Sequence, residues 1–295
     1  MHPYATRAYA DSLAHWGKTL AVPEWGCHVI VRDIDGTHKD AAGVYPITPL
    51  LPDTDIQGGV ERLKGEGLVS VVLVLDDFHR PPLEVLSQAF DRVVPFKPHY
   101  LYRPSLGGVN YDSHHKRALK KAHKQVRSGI VDLKKDAASW CALYDELIRK
   151  LDLTGLHAFG MAHHAALADI PGFVAMGSWV GDELVSCHVW VEHDGFCHSH
   201  LVASNPVGYD TRAGYATNAA SMEYFQNATV LNFGGGAGNS VDADDGLARF
   251  KRGFSNDMAQ SYICGAVLDK NAYSRLVAAR KFTLPVKFFP AYRAP

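Results

Sequence analysis

One stretch, Leu231 to Phe254, constrains this chain more than any other part of its sequence; it reads LNFGGGAGNSVDADDGLARFKRGF. Three consecutive glycines, Gly234–Gly236, follow the apolar end of a predicted strand. Glycine tolerates positive φ and lets another segment or a ligand approach closely, so such a cluster usually has a steric reason. An acidic loop that includes Asp242 leads into a helix of about two turns, which we expect to end at a glycine C-cap, Gly253.

Length, charge and cysteine usage narrow the class of protein. A chain of 295 residues, 47% of them hydrophobic, suits one large domain or two moderate ones with real cores. The formal net charge of -1 excludes a global polyanion-binding surface, so any contact with nucleic acid must be local. The five cysteines form no CxxC pair, which argues against a structural zinc site or a disulfide framework. The N-terminus lacks a signal-peptide pattern and no apolar run is long enough to span a bilayer, so we expect a cytoplasmic protein without a membrane span.

The glycine-rich stretch carries a set of residues at fixed spacing: Gly234-Gly235, Gly246-Leu247, Phe250-Lys251 and Phe254. This set resembles the C-terminal motif of the Fem-type, aminoacyl-tRNA-dependent aminoacyltransferases, which have the fold of the GCN5-related N-acyltransferases. The family pattern is an apolar strand, a glycine pair, a variable loop, then Gly-Leu, two residues, Phe-Lys, two residues and Phe. The resemblance is good over residues 110–260 and thin before them. The alternative is a strand, loop and helix in which the Phe-Lys pair occurs by chance.

Hydrophobic periodicity supports the same fold. From residue 139 onward the pattern predicts two helices, a meander of three strands, then helix, strand, helix and strand, which is the order of the acyltransferase fold. The first 110 residues show a rougher version of this order. We therefore predict an α/β (α+β) fold of two such units, each a mixed, mostly antiparallel sheet flanked by helices. We place a degenerate N-terminal domain at residues 1–110 and the catalytic domain at 111–295.

A basic helix is predicted near the start of the second domain, over residues 110–127, with Ser113 as its cap. Its apolar stripe is narrow, and basic side chains cover the rest. One interpretation is a solvated helix face, and the other is a surface that meets phosphate. Fem-type enzymes carry a basic segment at a similar place, so the resemblance implies that five of these residues contact tRNA: Lys116, Arg117, Lys120, Lys121 and Lys124.

The catalytic expectation centres on Lys251. Acyl transfer to an amine needs positioned reactants and a stabilised oxyanion, but no metal and no protein nucleophile. The sequence has no nucleophile elbow, and we expect no cofactor beyond the co-substrate. The resemblance implies that Lys251 meets the oxyanion and that Phe250 orients the ester and excludes water. The alternative is that Lys251 caps its helix and Phe250 is a core residue.

Further substrate contacts are expected around this motif. His198 and His200 share one strand face and are candidates for a general base or an acceptor contact, with hairpin packing as the alternative. A metal site is disfavoured, because three or four converging ligands are not evident. Arg212 is one position out of register for the pyrophosphate loop of an acyl-CoA enzyme, although any helix N-terminus can bind anions. The expected substrate-binding residues are Gly234, Gly235, Gly236, His198, His200 and Tyr215.

The function expected from these observations is transfer of an amino acid from aminoacyl-tRNA to an amine. The acceptor would be a peptide, or a precursor of peptidoglycan or of a natural product such as an antibiotic. Two alternatives stay open. One is an N-acetyltransferase that uses acetyl-CoA, and the other is a non-catalytic module that binds tRNA or peptide.

Overall fold

A computed structural model describes residues 1–236, 245–280 and 288–294, so the acidic loop around Asp242 lies outside the described residues. The strands are Lys18–Val22 (β1), Cys27–Asp33 (β2), Lys39–Gly43 (β3), Ser70–Leu75 (β4), Arg92–Tyr102 (β5), Arg127–Val131 (β6), Phe173–Val180 (β7), Glu183–His193 (β8), Phe196–Ser204 (β9), Val230–Asn232 (β10) and Asp257–Val267 (β11). The helices are Arg7–Asp11 (α1), Ile56–Gly65 (α2), Leu83–Ala89 (α3), Ser113–Ala122 (α4), Ala137–Leu151 (α5), Met161–Leu167 (α6), Pro206–Thr211 (α7), Ala213–Tyr224 (α8), Gly246–Arg252 (α9) and Lys270–Ala279 (α10). Short 3-10 helices lie at Pro3–Ala5, Pro23–Trp25, Pro104–Leu106, Gly155–His157 and Ala291–Arg293.

The chain forms two compact units, and the first of them is discontinuous. Unit 1 comprises Met1–Phe96 and Gln260–Pro295, and unit 2 comprises Lys97–Ala259. This division differs from the expected domains, 1–110 and 111–295, because β11 pairs with β4 in an antiparallel ladder from Tyr262↔Leu75 to Val267↔Ser70. The strand that we expected in the second domain therefore belongs to unit 1.

Unit 1 is built on strands β1, β2, β3, β4 and β11, in that order. β3 runs parallel to β4, and the other neighbours are antiparallel. Residues 291–293 are held against this sheet by Asp40, which is fully buried and ion-paired with both Arg32 and Arg293. A buried carboxylate that meets two guanidinium groups keeps its charge compensated, so the end of the chain becomes part of the core of unit 1.

Unit 2 carries the order β5, β10, β9, β8, β7, β6, with β10 parallel to β9 and the other neighbours antiparallel. Ser199 and His200 are successive residues of β9 and point to opposite faces. Ser199 Oγ lies 2.8 Å from Nε2 of His188, whose Nδ1 meets Asn218 of α8. His200 faces His163 of α6 instead, with 3.4 Å between their Nε2 atoms. Helices α8 and α6 therefore cover opposite faces.

The predicted architecture, a mixed and mostly antiparallel sheet flanked by helices in each unit, is confirmed. The predicted meander corresponds to β7, β8 and β9, and each strand end lies within one residue of its predicted position. The basic helix is shorter than expected, because it ends at Ala122 and Arg127 already opens β6. Its cap is Asp112 and not Ser113, since the Asp112 carboxylate accepts a hydrogen bond from a backbone N–H of the first turn. Within the described ranges, each helix is too short or too polar to cross a bilayer.

Candidate active site at the glycine turn

The glycine turn begins where β10 ends, and two of its residues need glycine for different reasons. Gly234 has φ +75°, a conformation that side-chain-bearing residues rarely adopt. Its N–H donates to Oδ1 of the buried Asn232 at 2.8 Å, which fixes the start of the turn. A Cβ on Gly235 would lie 3.0 Å from Cδ of Lys97, so this position is bare because a lysine packs against it. The turn thus leaves its backbone carbonyls open to side chains from other elements.

Helix α9 brings Lys251 to this turn. Asp245 caps the helix by accepting hydrogen bonds from Leu247 N and Ala248 N, both at 3.3 Å. The ammonium of Lys251 donates to the carbonyl oxygen of Gly235 at 2.7 Å. Lys251 therefore does not cap its own helix. It reaches back to the residues that precede the loop, as the motif spacing led us to expect.

The electrostatic setting of Lys251 is unusual for a lysine. Burial, and then repulsion from Lys97, lower the pKa of Lys251 to about 7, while Asp245 opposes the shift. Lys97 comes from β5, and its Nζ donates to the carbonyl of Gly236 at 3.3 Å. Burial also lowers the pKa of Lys97. A lysine with so low a pKa, held at a turn free of side chains, is typical of a functional site.

Phe250 belongs to an aromatic cluster that flanks the turn. Its ring meets Tyr215 of α8 edge-on, with centroids 4.8 Å apart, and Phe254 at 5.2 Å. Phe250 also lies against the start of α8, with its Cζ 3.9 Å from where a Cβ on Gly214 would be. The ring is only partly buried, so it is neither a pure core residue nor a free surface one.

His115 joins the basic helix to the motif helix, a role that no pattern in the sequence indicates. The buried ring of His115 lies with Nδ1 3.0 Å from Asp112 Oδ1 and Nε2 3.1 Å from the carbonyl oxygen of Phe250. A Cβ on Gly253 would lie 1.9 Å from the same Nε2. Gly253 is the C-cap of α9, as expected, but its φ of -68° does not require glycine, so the reason for glycine here is the room that it leaves for His115.

The five candidate tRNA contacts lie on one side of this junction. Lys116, Arg117, Lys120, Lys121 and Lys124 are all exposed, and none forms an ion pair with an acid among the described residues. Lys124 follows the last helical residue. The opposite face of α4 packs on α8, and His114 Nε2 lies 3.0 Å from the hydroxyl of Tyr215. A basic surface and the aromatic cluster are therefore parts of one packed group of helices.

The candidate histidines of β9 lie among other ring side chains. His188, not His198 or His200, lies on the α8 face, and the charge of Lys251 contributes to lowering its pKa to about 3, after burial. His198 lies beside His99, with ring centroids 5.9 Å apart, and His200 beside Phe173 and His163. No group of three or more residues in the described ranges is arranged to hold a metal ion. His200 thus lies on the α6 side of β9, and His198 lies beside a histidine that contacts Asn232.

Two surface depressions lie away from the turn. One, of about 270 Å³, is lined by β6 and β7, and the other, of about 670 Å³, lies between α5 and α7. Neither is lined by Lys251 or Phe250. The glycine turn is distinguished by its charges and its backbone geometry.

We predict that Gly253→Ala destabilises the protein by about 1–3 kcal/mol, because the new methyl group overlaps the ring of His115. Gly246→Ala, in the same helix, is the matched control, since a Cβ there meets no atom within 4 Å. Urea unfolding measures both. In a double-mutant cycle, His115→Ala should relieve much of the cost of Gly253→Ala. Fully additive effects of the two substitutions would contradict this packing argument.

Comparison with known proteins connects this site to a fold. No family model and no curated protein matches the sequence. FemX matches in structure with a TM-score of 0.66 and 11% identity, over 93% of this chain and 95% of that one. The C-terminal domain of a putative lysylphosphatidylglycerol synthetase from Agrobacterium fabrum matches with a TM-score of 0.62 and 13% identity, over 92% of this chain and 90% of that one. L-PGS from Bacillus licheniformis matches with a TM-score of 0.56 and 11% identity, over 96% of this chain and 98% of that one. The chain therefore shares the fold of FemX and of these two synthetase structures.

Proposed function

We propose that this protein is an aminoacyltransferase that moves an amino acid from the 3′ end of aminoacyl-tRNA to the amine of a peptide. The observation that carries the proposal is the Lys251 ammonium, held 2.7 Å from the Gly235 carbonyl at a turn without side chains. The Phe-Lys motif and the fold shared with FemX and the lysylphosphatidylglycerol synthetase domain support the same reaction class.

The transfer requires attack by the acceptor amine on the ester and loss of the tRNA ribose as the leaving group. The acceptor nitrogen attacks the ester carbonyl carbon, the carbonyl π electrons move to oxygen, and the tetrahedral intermediate then expels the ribose oxygen. The C–O bond breaks as the new C–N bond is kept, and the ribose hydroxyl leaves with a proton. A fixed cation stabilises the oxyanion, and Lys251 supplies it.

A covalent enzyme intermediate is not needed, and the cysteines do not favour one. All five are buried. Burial raises the pKa of Cys27, Cys197 and Cys264 to about 12, which keeps them in the unreactive thiol form at neutral pH. This chemistry fits an activated ester, because the donor already carries a good leaving group and the protein need only hold it and exclude water.

The surroundings of Phe250 favour a tRNA donor over acyl-CoA. An acyl-CoA would place its pyrophosphate at the start of α8, where the Phe250 ring already lies against Gly214. Arg212 is the N-cap of α8 in a left-handed conformation and offers no side-chain cap there. The exposed basic residues of α4, linked to Phe250 through His115, support a nucleic acid as the donor instead, because basic side chains attract phosphates.

The donor experiment combines amino acid, ATP, cognate synthetase, tRNA and a peptide with a free amine, and follows product by mass spectrometry. We expect product, and we expect ribonuclease added beforehand to abolish it. Phosphatidylglycerol vesicles replace the peptide in a parallel reaction, to test a lipid acceptor. Acetyl-CoA should not replace the tRNA. Ribonuclease-resistant activity with acetyl-CoA as donor would mean that the protein is an N-acetyltransferase, and tRNA binding without turnover would mean a binding module.

Lys251→Met should lower kcat by about 100-fold or more, because the oxyanion loses its cation. The matched control is Lys270→Met, which removes an exposed lysine from α10. Melting temperatures of both variants show whether the fold survives. Turnover of Lys251→Met within threefold of wild type would remove Lys251 from the mechanism.

Replacing Lys116, Lys120, Lys121 and Lys124 together by Gln should weaken tRNA binding and flatten its dependence on salt. For each lysine that no longer meets a phosphate, the slope of log K against log salt falls by about one unit. The control with equal charge change replaces four exposed lysines of unit 1: Lys18, Lys39, Lys64 and Lys270. Filter binding at several salt concentrations gives both slopes. If the two quadruple variants behave alike, α4 is a solvated face and not a tRNA surface.

A further inference from the structure

Two lysines, not one, converge on the glycine turn. Lys251 of α9 donates to the carbonyl of Gly235, and Lys97 of β5 donates to the carbonyl of the next residue, Gly236. The stem of Lys97 also packs on Gly235, since its Cβ and Cδ lie 3.1 and 3.0 Å from where a Cβ would be. Lys97 lies outside the Phe-Lys motif and more than a hundred residues before it, yet it completes the same small cluster.

Placing two ammonium groups at one turn carries an electrostatic cost. Two like charges brought together in a partly buried place each disfavour the charged form of the other. Among the described residues, Asp245 is the acid that opposes the pKa shift of both lysines. A neutral side chain at position 97 could pack on Gly235 without this cost, so the charge itself calls for a reason.

We infer that Lys97 is a positioning residue that keeps Lys251 ready to give up and take back a proton, so that Lys251 serves first as general base and then as oxyanion cation. This inference rests on the proposed function, because it assigns the proton of the acceptor amine. An amine arrives at neutral pH mostly as ammonium, and it cannot attack a carbonyl until it loses a proton.

In this scheme one residue, Lys251, accepts the proton that the acceptor ammonium loses before attack. Neutral Lys251 takes one proton from the acceptor ammonium, so that the acceptor nitrogen gains a lone pair and Lys251 becomes an ammonium. The nitrogen attacks the ester carbon, and the charged Lys251 now faces the oxyanion. When the C–O bond breaks, a second proton passes from the attacking nitrogen to the ribose oxygen. Lys251 returns its proton to solvent and is neutral again.

Two histidines near this site, among the residues that the structure describes, are already engaged. His188 is bonded through both ring nitrogens, to Asn218 and Ser199, and burial lowers its pKa to about 3. His115 lies within hydrogen-bonding distance of Asp112 and of the Phe250 carbonyl. Among the described residues, the groups that interact electrostatically with Lys251 are Lys97, Asp245 and His188. Tyr215 and His115 flank the neighbouring Phe250, and Arg249 and Arg252 share its helix. The charge of Lys97 also acts on His157.

The test compares the pH dependence of kcat/KM for wild type, Lys97→Met and Lys97→Arg between about pH 5.5 and 9.5. A base must be neutral to act, so wild-type activity should rise as pH passes through about 7. Lys97→Met removes a repulsion and raises the pKa of Lys251. We expect the rising limb to move up by about one pH unit, which is about a tenfold loss at pH 6 that disappears by pH 9. Lys97→Arg keeps the charge and should leave the limb in place. Ionisation of the acceptor is common to all three enzymes and cancels in the comparison.

A second measurement does not depend on activity. Labelling with a limiting amount of an amine-selective reagent, read by mass spectrometry of the peptide that contains Lys251, reports the fraction of neutral Lys251 at each pH. We expect the midpoint to rise in Lys97→Met and to stay in Lys97→Arg, with melting temperatures unchanged. An unmoved midpoint, or a wild-type rate that falls as pH rises through 7, overturns the inference. A shifted midpoint in a protein that transfers no amino acid to any acceptor would instead leave the lysine coupling standing and refute the proposed function.

Discussion

The absence of side chains at one turn is the constraint on which the candidate site depends. Because Gly234 turns the chain with a positive φ and Gly235 has no Cβ, two successive carbonyl oxygens are open to ammonium groups. The ammonium groups of Lys97, from β5, and Lys251, from α9, then donate to the carbonyl oxygens of these two neighbouring glycines. A side chain at Gly235 would displace Lys97, and the electrostatic setting of Lys251 would change with it. Backbone geometry thus controls the charge of the site.

The second organising contact is the histidine that joins α4 to α9. His115 lies in α4, contacts the carbonyl of Phe250 and fills the space that Gly253 leaves. The basic surface of α4 and the lysine of α9 are therefore fixed relative to one another by packing within unit 2. If a nucleic acid binds the exposed side of α4, its position relative to Lys251 is set by this junction and not by a flexible linker.

Local patterns predicted much of the fold and singled out one of the two lysines that meet at the glycine turn. Alternation and turn glycines sufficed for β7, β8 and β9, and the motif spacing brought Lys251 to the glycines. Three features escaped because their causes are not local. The pairing of β5 with β10 is tertiary, so no local pattern indicated that Lys97 lies at the glycine turn. Gly253 is the helix C-cap that was expected, but the reason for glycine there is a histidine that precedes it by more than a hundred residues. The face of His198 depends on which helix covers it, and alternation alone cannot give that.

The interleaving of the two units has a consequence for the order of synthesis. Unit 2 is one continuous segment that ends at Ala259, whereas unit 1 needs β11, whose ladder with β4 runs to Val267. On the ribosome, the second unit in the sequence thus has all its residues before the first one does. Until then β4 presents an unpaired edge of apolar residues, the kind of edge that recruits strands from other chains. A chain truncated just before β11 would therefore be prone to aggregate through the edge of β4, even with its glycine turn intact.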